Sequence, residues 1–329
     1  MKLTKLNLLI AAGLVLLLTT PAQSQFVKTL GIYGIGLSVI EGSDGEIFVT
    51  GYTGFGAGDY DLLLAKFDAS GNHLWTRTLG GSGDDWGYSV IEASDGGLVV
   101  TGHTFSFGAG GRDFLLAKFD ASGNRLWTRT LGGGNSDYGR SVIEASDGGL
   151  VVTGYTMSFG AGQCDLLLAK FDASGNYLWT RTLGGPYNDY GYSLVEASDG
   201  GIIVTGTSNS FYGATNSDFL LAKFDASGNY LWTRILQGYI NDYGHSVIEA
   251  SDGGIIAVGT FNTMDSPPMV SPDTLHGEIL LTKFDASGAL LWARTLGGAN
   301  EEDGYSVIEA SDGGGCRDRM DSECRRRPS

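Results

Sequence analysis

Apolar residues fall along this chain in short runs, never at helical spacing for long enough to build a helix. From Ser141 the runs read SVIEA, LVVTGYT, DLLLAKF and YLWTRTL, each bounded by Gly, Asp or Asn. Runs of this length, rich in β-branched and aromatic residues and cut by turn formers, predict β-strands. The Ser-Asp-Gly-Gly between the first two suits a tight hairpin that needs positive φ. Asp172-Ala173-Ser174-Gly175-Asn176 predicts another turn between the third and fourth, and the longer SFGAGQC joins the second to the third.

The same unit recurs. Leu-Trp pairs place Trp75, Trp127, Trp179, Trp232 and Trp292 at spacings of 52, 52, 53 and 60 residues. SVIE or SLVE begins at Ser38, Ser89, Ser141, Ser193, Ser246 and Ser306. Four short antiparallel strands repeated about every 50 residues predict an all-β chain, a β-propeller with five complete blades and an incomplete sixth. The Trp of each outermost strand is expected to pack between its own blade and the next.

These residues resemble known repeats. KFDASGNYLWTRTLGG is similar to the tryptophan-docking repeat of quinoprotein-type propellers, and GGLVVTG is similar to kelch repeats, which carry a second Gly where Thr153 stands. The resemblance is strongest to the bacterial and archaeal β-propeller repeat family of exported proteins, over residues 26 to about 314. It implies secretion and a scaffold or binding role, with no shared catalytic residue to carry over. A quinoprotein would imply a quinone cofactor and Ca²⁺, but the adjacent cysteine pair of those enzymes is missing.

The ends differ from the repeat. Lys2 and Lys5 precede an apolar run from Leu6 to Leu18 and then Ala22-Gln23-Ser24, which predicts a signal peptide over residues 1–24 and an exported product, secreted, periplasmic or at the cell surface. The alternative is an uncleaved anchor, although the run is shorter than the about 20 residues of a span. No other span is expected after cleavage. The propeller domain is placed at 25–314, opening with Phe26–Gly31 as a fourth-type strand. Residues 315–329, GCRDRMDSECRRRPS, have no strand pattern and are expected to be a disordered or out-of-frame tail.

Composition narrows the function. Glycine numbers 53, which fits many tight turns. A net charge of −16, or −18 without Lys2 and Lys5, argues against a nucleic-acid partner. Three cysteines cannot form a disulfide framework, and Cys164 has no evident partner histidine.

The turns SDGG and DASGN are nearly constant, whereas the loops on the opposite side vary, and variable loops on a rigid scaffold carry function. That face presents Phe107, Phe159, Phe211 and Tyr212. It also presents a recurring Asp-aromatic pair near the channel mouth: Asp85, Trp86, Asp137, Tyr138, Asp189, Tyr190, Asp242, Tyr243, and Glu302 in the sixth unit. Such a ring could bind a ligand or Ca²⁺, which prefers several oxygens. The alternative is that each Asp caps a turn while the aromatic packs between blades. Glu92, Glu144, Glu196 and Glu249, with Lys118, Lys170, Lys223, Arg129, Arg181 and Arg234, suggest ion pairs inside blades. His73, His103, His245 and His276 come from different blades and from both faces, which speaks against a shared metal. The insertion from Phe261 to Gly277 is a candidate for specificity. No hydrolase, zinc or nucleotide motif occurs, and no carboxylate pair of a glycosidase stands out. The expectation is an exported propeller that is not an enzyme and takes an unknown protein or glycan ligand, the runner-up being a lectin with aromatics stacked on sugars.

Overall fold

The computed structural model describes residues 7–11, 14–18, 26–28, 33–211, 216–238, 240–264, 275–297 and 302–309. The expected tail, Tyr212 and the middle of the 261–277 insertion lie outside them. Strands β1 (Asn7–Ala11), β2 (Leu14–Leu18) and β3 (Phe26–Lys28) form a three-stranded antiparallel sheet of their own. Phe26–Lys28 therefore pairs with β2 and not with a blade.

The rest is a β-propeller of five four-stranded antiparallel sheets. Blade 1 comprises β4 (Gly34–Glu41), β5 (Ile47–Thr53), β6 (Asp61–Phe67) and β7 (His73–Leu79). Blade 2 comprises β8 (Asp85–Glu92), β9 (Leu98–Thr104), β10 (Asp113–Phe119) and β11 (Arg125–Leu131). Blade 3 comprises β12 (Asp137–Glu144), β13 (Leu150–Thr156), β14 (Asp165–Phe171) and β15 (Tyr177–Leu183). Blade 4 comprises β16 (Asp189–Glu196), β17 (Ile202–Ser208), β18 (Asp218–Phe224) and β19 (Tyr230–Leu236). Blade 5 comprises β20 (Tyr243–Glu249), β21 (Ile255–Met264), β22 (Leu275–Phe284) and β23 (Leu290–Leu296). The first strands of successive blades touch one another, which makes them the innermost.

Burial explains the hydrophobic pattern. The two middle strands of blades 2 to 4 are buried along their whole length, so DLLLAKF needs no polar alternation. Cores form between blades: Leu62, Leu64 and Phe48 of blade 1 meet Val90, Leu98 and Leu115 of blade 2. Each lysine that ends a third strand keeps its stem in the core and its ammonium on an acid of the SDGG-type turn, as Lys118 does with Asp95 and Lys170 with Asp147.

Docking between blades repeats in detail. Gly123, Gly175, Gly228 and Gly288 take φ of +76 to +79° in the third-to-fourth turn. A Cβ added at Gly175 would stand 2.9 Å from the Trp127 ring of the preceding blade, and Trp75, Trp179 and Trp232 lie against Gly123, Gly228 and Gly288 in the same way. Arg129 stacks over Trp127 with its Cζ 5.2 Å from the ring centroid. Its Nε donates to Gly175 O at 2.7 Å and Nη2 to Ser174 O at 3.3 Å. Glu144 accepts from the Ser94 amide at 2.6 Å and the Ser94 hydroxyl at 2.8 Å. The glutamates and arginines thus bind the neighbouring blade's serines and carbonyls; they do not form the expected pairs within a blade. Docking to backbone tolerates no side-chain choice, which is why these positions repeat.

The end of blade 5 follows the same rule. Residues 302–309 lie where a next innermost strand would: Glu309 accepts from Ser251 as Glu249 does from Ser198. Among the described residues no helix is long and apolar enough to cross a membrane.

Candidate functional site

Every innermost strand carries a β-bulge. In blade 2, Gly87 pairs with Gly102 and Ser89 with Thr101, leaving Tyr88 as the extra residue. Arg140, Tyr192, His245 and Leu37 hold the same place in the other blades. A bulge re-aims a side chain and is common beside functional sites. The strands can approach at Gly102 only because it lacks Cβ, which would strike the Trp86 carbonyl.

The bulge residues join a band of aromatic rings around the inner side. Tyr52 stacks on Trp86 at 4.0 Å between centroids, Trp86 and Tyr88 each lie 5.5 Å from His103, and His103 meets Tyr138 at 5.0 Å. Tyr138 stacks on Tyr155 at 4.5 Å, and Tyr155 meets Tyr190 edge-on at 4.8 Å. Tyr192, Tyr243 and Tyr305 surround His245 at 6.1, 6.0 and 5.0 Å. His103 and His245, from different blades, therefore both belong to one inner band. Period-2 reading hid this, because the bulge reverses the alternation within the strand.

Arg140 is the one cation among the bulge residues. Its Cζ sits 4.2 Å from the Tyr88 centroid and 5.3 Å from that of Tyr155, and Nη2 donates to Tyr155 Oη at 3.2 Å. Burial pushes the Tyr88 hydroxyl up to about 12, and burial with Arg112 and Arg140 nearby pushes His103 down to about 3. The imidazole is neutral at physiological pH.

The aspartates of the Asp-aromatic pairs sit elsewhere. Asp85, Asp137, Asp189 and Asp242 are 0% exposed. Asp137 accepts from the Thr156 hydroxyl, from the Ser158 hydroxyl at 2.6 Å and from the Gly133 amide at 3.1 Å. Asp85 and Asp189 have equivalent partners, while Asp242 accepts from the amides of Asn262 and Gly238. These bonds cap loops. Glu302 takes the matching place after blade 5, its amide donating to Gly277 O at 2.8 Å.

Further buried acids stand at Asp61, Asp113, Asp165 and Asp218, and in the first three blades both acids approach one glycine, as Asp113 and Asp137 do at Gly132. These acids are inconspicuous in the sequence because each is the first residue of a third strand that then runs apolar for four residues. Burial, and to a lesser degree the neighbouring Asp218, pushes Asp242 up to about 6. Calcium at the Asp ring would compete with hydroxyl and amide donors already in place, and among the described residues no group of three or more His, Cys, Asp or Glu could hold a metal. Cys164 is buried, and desolvation pushes its thiol up to about 12, which makes it a poor nucleophile.

Phe107, Phe159 and Phe211 remain exposed at the tips of the second-to-third loops, with Phe55 and Phe105 beside them. The inner band and these tips are the two surfaces that depart from the docking pattern.

Residues 42–72 and 197–229 match the family described as domain of unknown function (DUF5122) beta-propeller. Over 192 residues, 51% of this chain, the sequence is 29% identical to the regulatory protein FlaEY of Caulobacter vibrioides, and the match spans 20% of that relative. Among solved structures, a protein of unknown function from Bacteroides caccae is similar with a TM-score of 0.52 and 12% identity, over 88% of this chain and 93% of that one. A streptogramin B lyase is similar with a TM-score of 0.52 and 14% identity, over 87% and 77%. A catalytically inactive virginiamycin B lyase from Staphylococcus aureus, solved with quinupristin, is similar with a TM-score of 0.54 and 11% identity, over 88% and 87%. At these identities the likeness extends to the fold. The expectation that the chain is not an enzyme is corrected on this point: lyases share the architecture, so a missing repeated catalytic set does not exclude catalysis. The chain is a β-propeller, and two of its stretches match a β-propeller repeat family.

Proposed function

We propose that the protein is an exported recognition propeller whose inner aromatic band binds a ligand. One observation carries this reading. The innermost strands otherwise repeat closely, yet their bulge position carries four residue types over five blades: Leu37, Tyr88, Arg140, Tyr192 and His245. Docking demands sameness, so a position that varies at the axis is free to serve binding.

Within that reading the ligand is a glycan. Stacked and tilted rings of Tyr138, Tyr155 and Tyr190 offer flat apolar faces with polar rims, the pattern that suits pyranose rings. A protein ligand is the second reading, favoured by the exposed phenylalanines at the loop tips. The similarity to part of a regulatory protein fits a role exercised through binding.

A glycan array probed with the chain from residue 25 tests the proposal. Binding that falls at least tenfold in Tyr138→Ala and stays unchanged in Phe107→Ala supports it. Binding lost only in Phe107→Ala or Phe159→Ala transfers the function to the loop tips. Incubating any bound glycan and assaying its cleavage then reports whether recognition leads to chemistry.

A further inference from the structure

The inner band holds hydrogen-bond donors that have no acceptor. Trp86 Nε1, Arg140 Nε and both ring nitrogens of His103 are buried and have no hydrogen-bond partner among the described residues. Neutral imidazole carries one N–H, so three N–H groups of this cluster lack an acceptor. The cluster is contiguous: Trp86 and Tyr88 pack on His103, and Tyr88 packs under the Arg140 guanidinium. Orphan hydroxyls also occur at Thr128, Thr180 and Thr233, but these recur at one place in three blades and belong to the repeat. Trp86, His103 and Arg140 do not recur.

Charge points the same way. Arg140 forms no ion pair with a carboxylate among the described residues; its polar contact is the Tyr155 hydroxyl. A part-buried guanidinium without an anion is costly, as are buried unmade hydrogen bonds. Arg112 adds a second cation near His103, and its own partner is Asp84 at 3.5 Å. The chain as a whole is acidic, yet a Debye length of about 8 Å screens distant acids, so the nearby arginines set the local sign.

We infer that Arg140, Trp86 and His103, walled by Tyr88, Tyr138 and Tyr155, form a seat for a small carboxylate, carried by a uronic acid of a glycan. The inference rests on the recognition reading above and names its ligand class. Arg140 supplies the charge and a directed N–H, Trp86 and His103 supply neutral donors, and the tyrosines hold the ring. Arg140 and Tyr88 are partly exposed, so solvent reaches the edge of the cluster, and a ligand must displace a side chain to reach the buried donors.

Isothermal titration at low salt uses three probes: sodium D-glucuronate, D-glucose and sodium benzoate. Glucuronate is expected to bind about 10- to 100-fold more tightly than glucose. Arg140→Gln should remove that preference, Arg140→Lys should restore only part of it, and the exposed Arg125→Gln should leave it intact. Melting curves of each variant show that it folds. Benzoate binding as tightly as glucuronate, with the same loss in Arg140→Gln, moves the carboxylate from a sugar to an aromatic acid and overturns the uronic acid. Equal binding of glucose and glucuronate, unaffected by Arg140→Gln, overturns the seat while the recognition reading survives. Absence of binding by all three overturns the seat as well, and the glycan array then decides the wider reading separately.

Discussion

The outer docking layer and the inner band are built from the same strands and obey opposite rules. Outside, Trp127, Arg129 and Gly175 repeat as Trp179, Arg181 and Gly228, because each partner is a backbone atom or a bare α-carbon that admits one solution. Inside, bulged residues project from the ladder, and the five blades carry leucine, tyrosine, arginine, tyrosine and histidine in turn. Repetition marks what holds the propeller together; variation marks what it can offer to a ligand.

The largest test is to remove one docking tryptophan. Trp127→Ala should cost about 3 kcal/mol in urea unfolding, the low end for a large aromatic because the indole is half-buried. Trp292 holds the same place on β23 but, among the described residues, no following turn glycine lies under it. Trp292→Ala should therefore cost less than half as much. Equal losses would show that the energy comes from within the blade and would break the docking account.

A pair of glycines sharpens the point. Gly148 and Gly175 have φ of +77° and +76°, so alanine strains both by about 1–2 kcal/mol. A Cβ at Gly148 meets nothing within 4 Å, whereas at Gly175 it meets Trp127. The excess loss of Gly175→Ala over Gly148→Ala, measured by thermal unfolding, isolates the Trp contact. If no excess appears, the indole yields freely.

The fold was legible because its determinants are local and repeated. Turn glycines, the apolar middle strands and one tryptophan per unit announce blades without any knowledge of the neighbours. The capping alternative for Asp85, Asp137, Asp189 and Asp242 was legible too, since an Asp before a tight loop has amides to satisfy. The donor cluster was not. Arg140 looks like another strand residue until the Gly139–Ser141 bulge turns it inward. His103 and Trp86 come together from the first two strands of blade 2, and their lack of acceptors is visible only in three dimensions.

Acidity probes a loop cap and the inner band with opposite signs. Asp242, a repeated cap, titrates near 6 in the folded chain against 3.8 for a free side chain, so its folded form holds the proton more tightly. That contribution is full below about pH 4 and is lost as pH rises through 6. His103, unique to its blade, titrates near 3 against 6.5, so the unfolded chain takes the proton first. Its contribution is intact above pH 6.5 and is lost as pH falls toward 3. The slopes oppose each other between pH 4 and 6. Relative to the wild type, Asp242→Asn should make melting temperature rise more steeply with pH over that window, and His103→Phe should make it fall more steeply. A shift of the same sign in both variants would refute the assignment.

The smallest effect discriminates by sign. Glu144 links blade 3 to the Ser94 amide and hydroxyl of blade 2, and this carboxylate has its partners. Glu144→Gln should cost about 1 kcal/mol, since it weakens charge-assisted bonds at a partly solvated site. Arg140 is a charge of the same chain with no carboxylate partner among the described residues, and half-burial makes its desolvation a net penalty. Arg140→Met keeps an unbranched apolar side chain at this place and removes that penalty, so its unfolding free energy should equal or exceed the wild type's. A charged residue that costs stability and is still placed on a bulge at the axis is placed there for something other than the fold. A loss in Arg140→Met as large as in Glu144→Gln would mean that the inner band, like the outer layer, serves to hold the blades together.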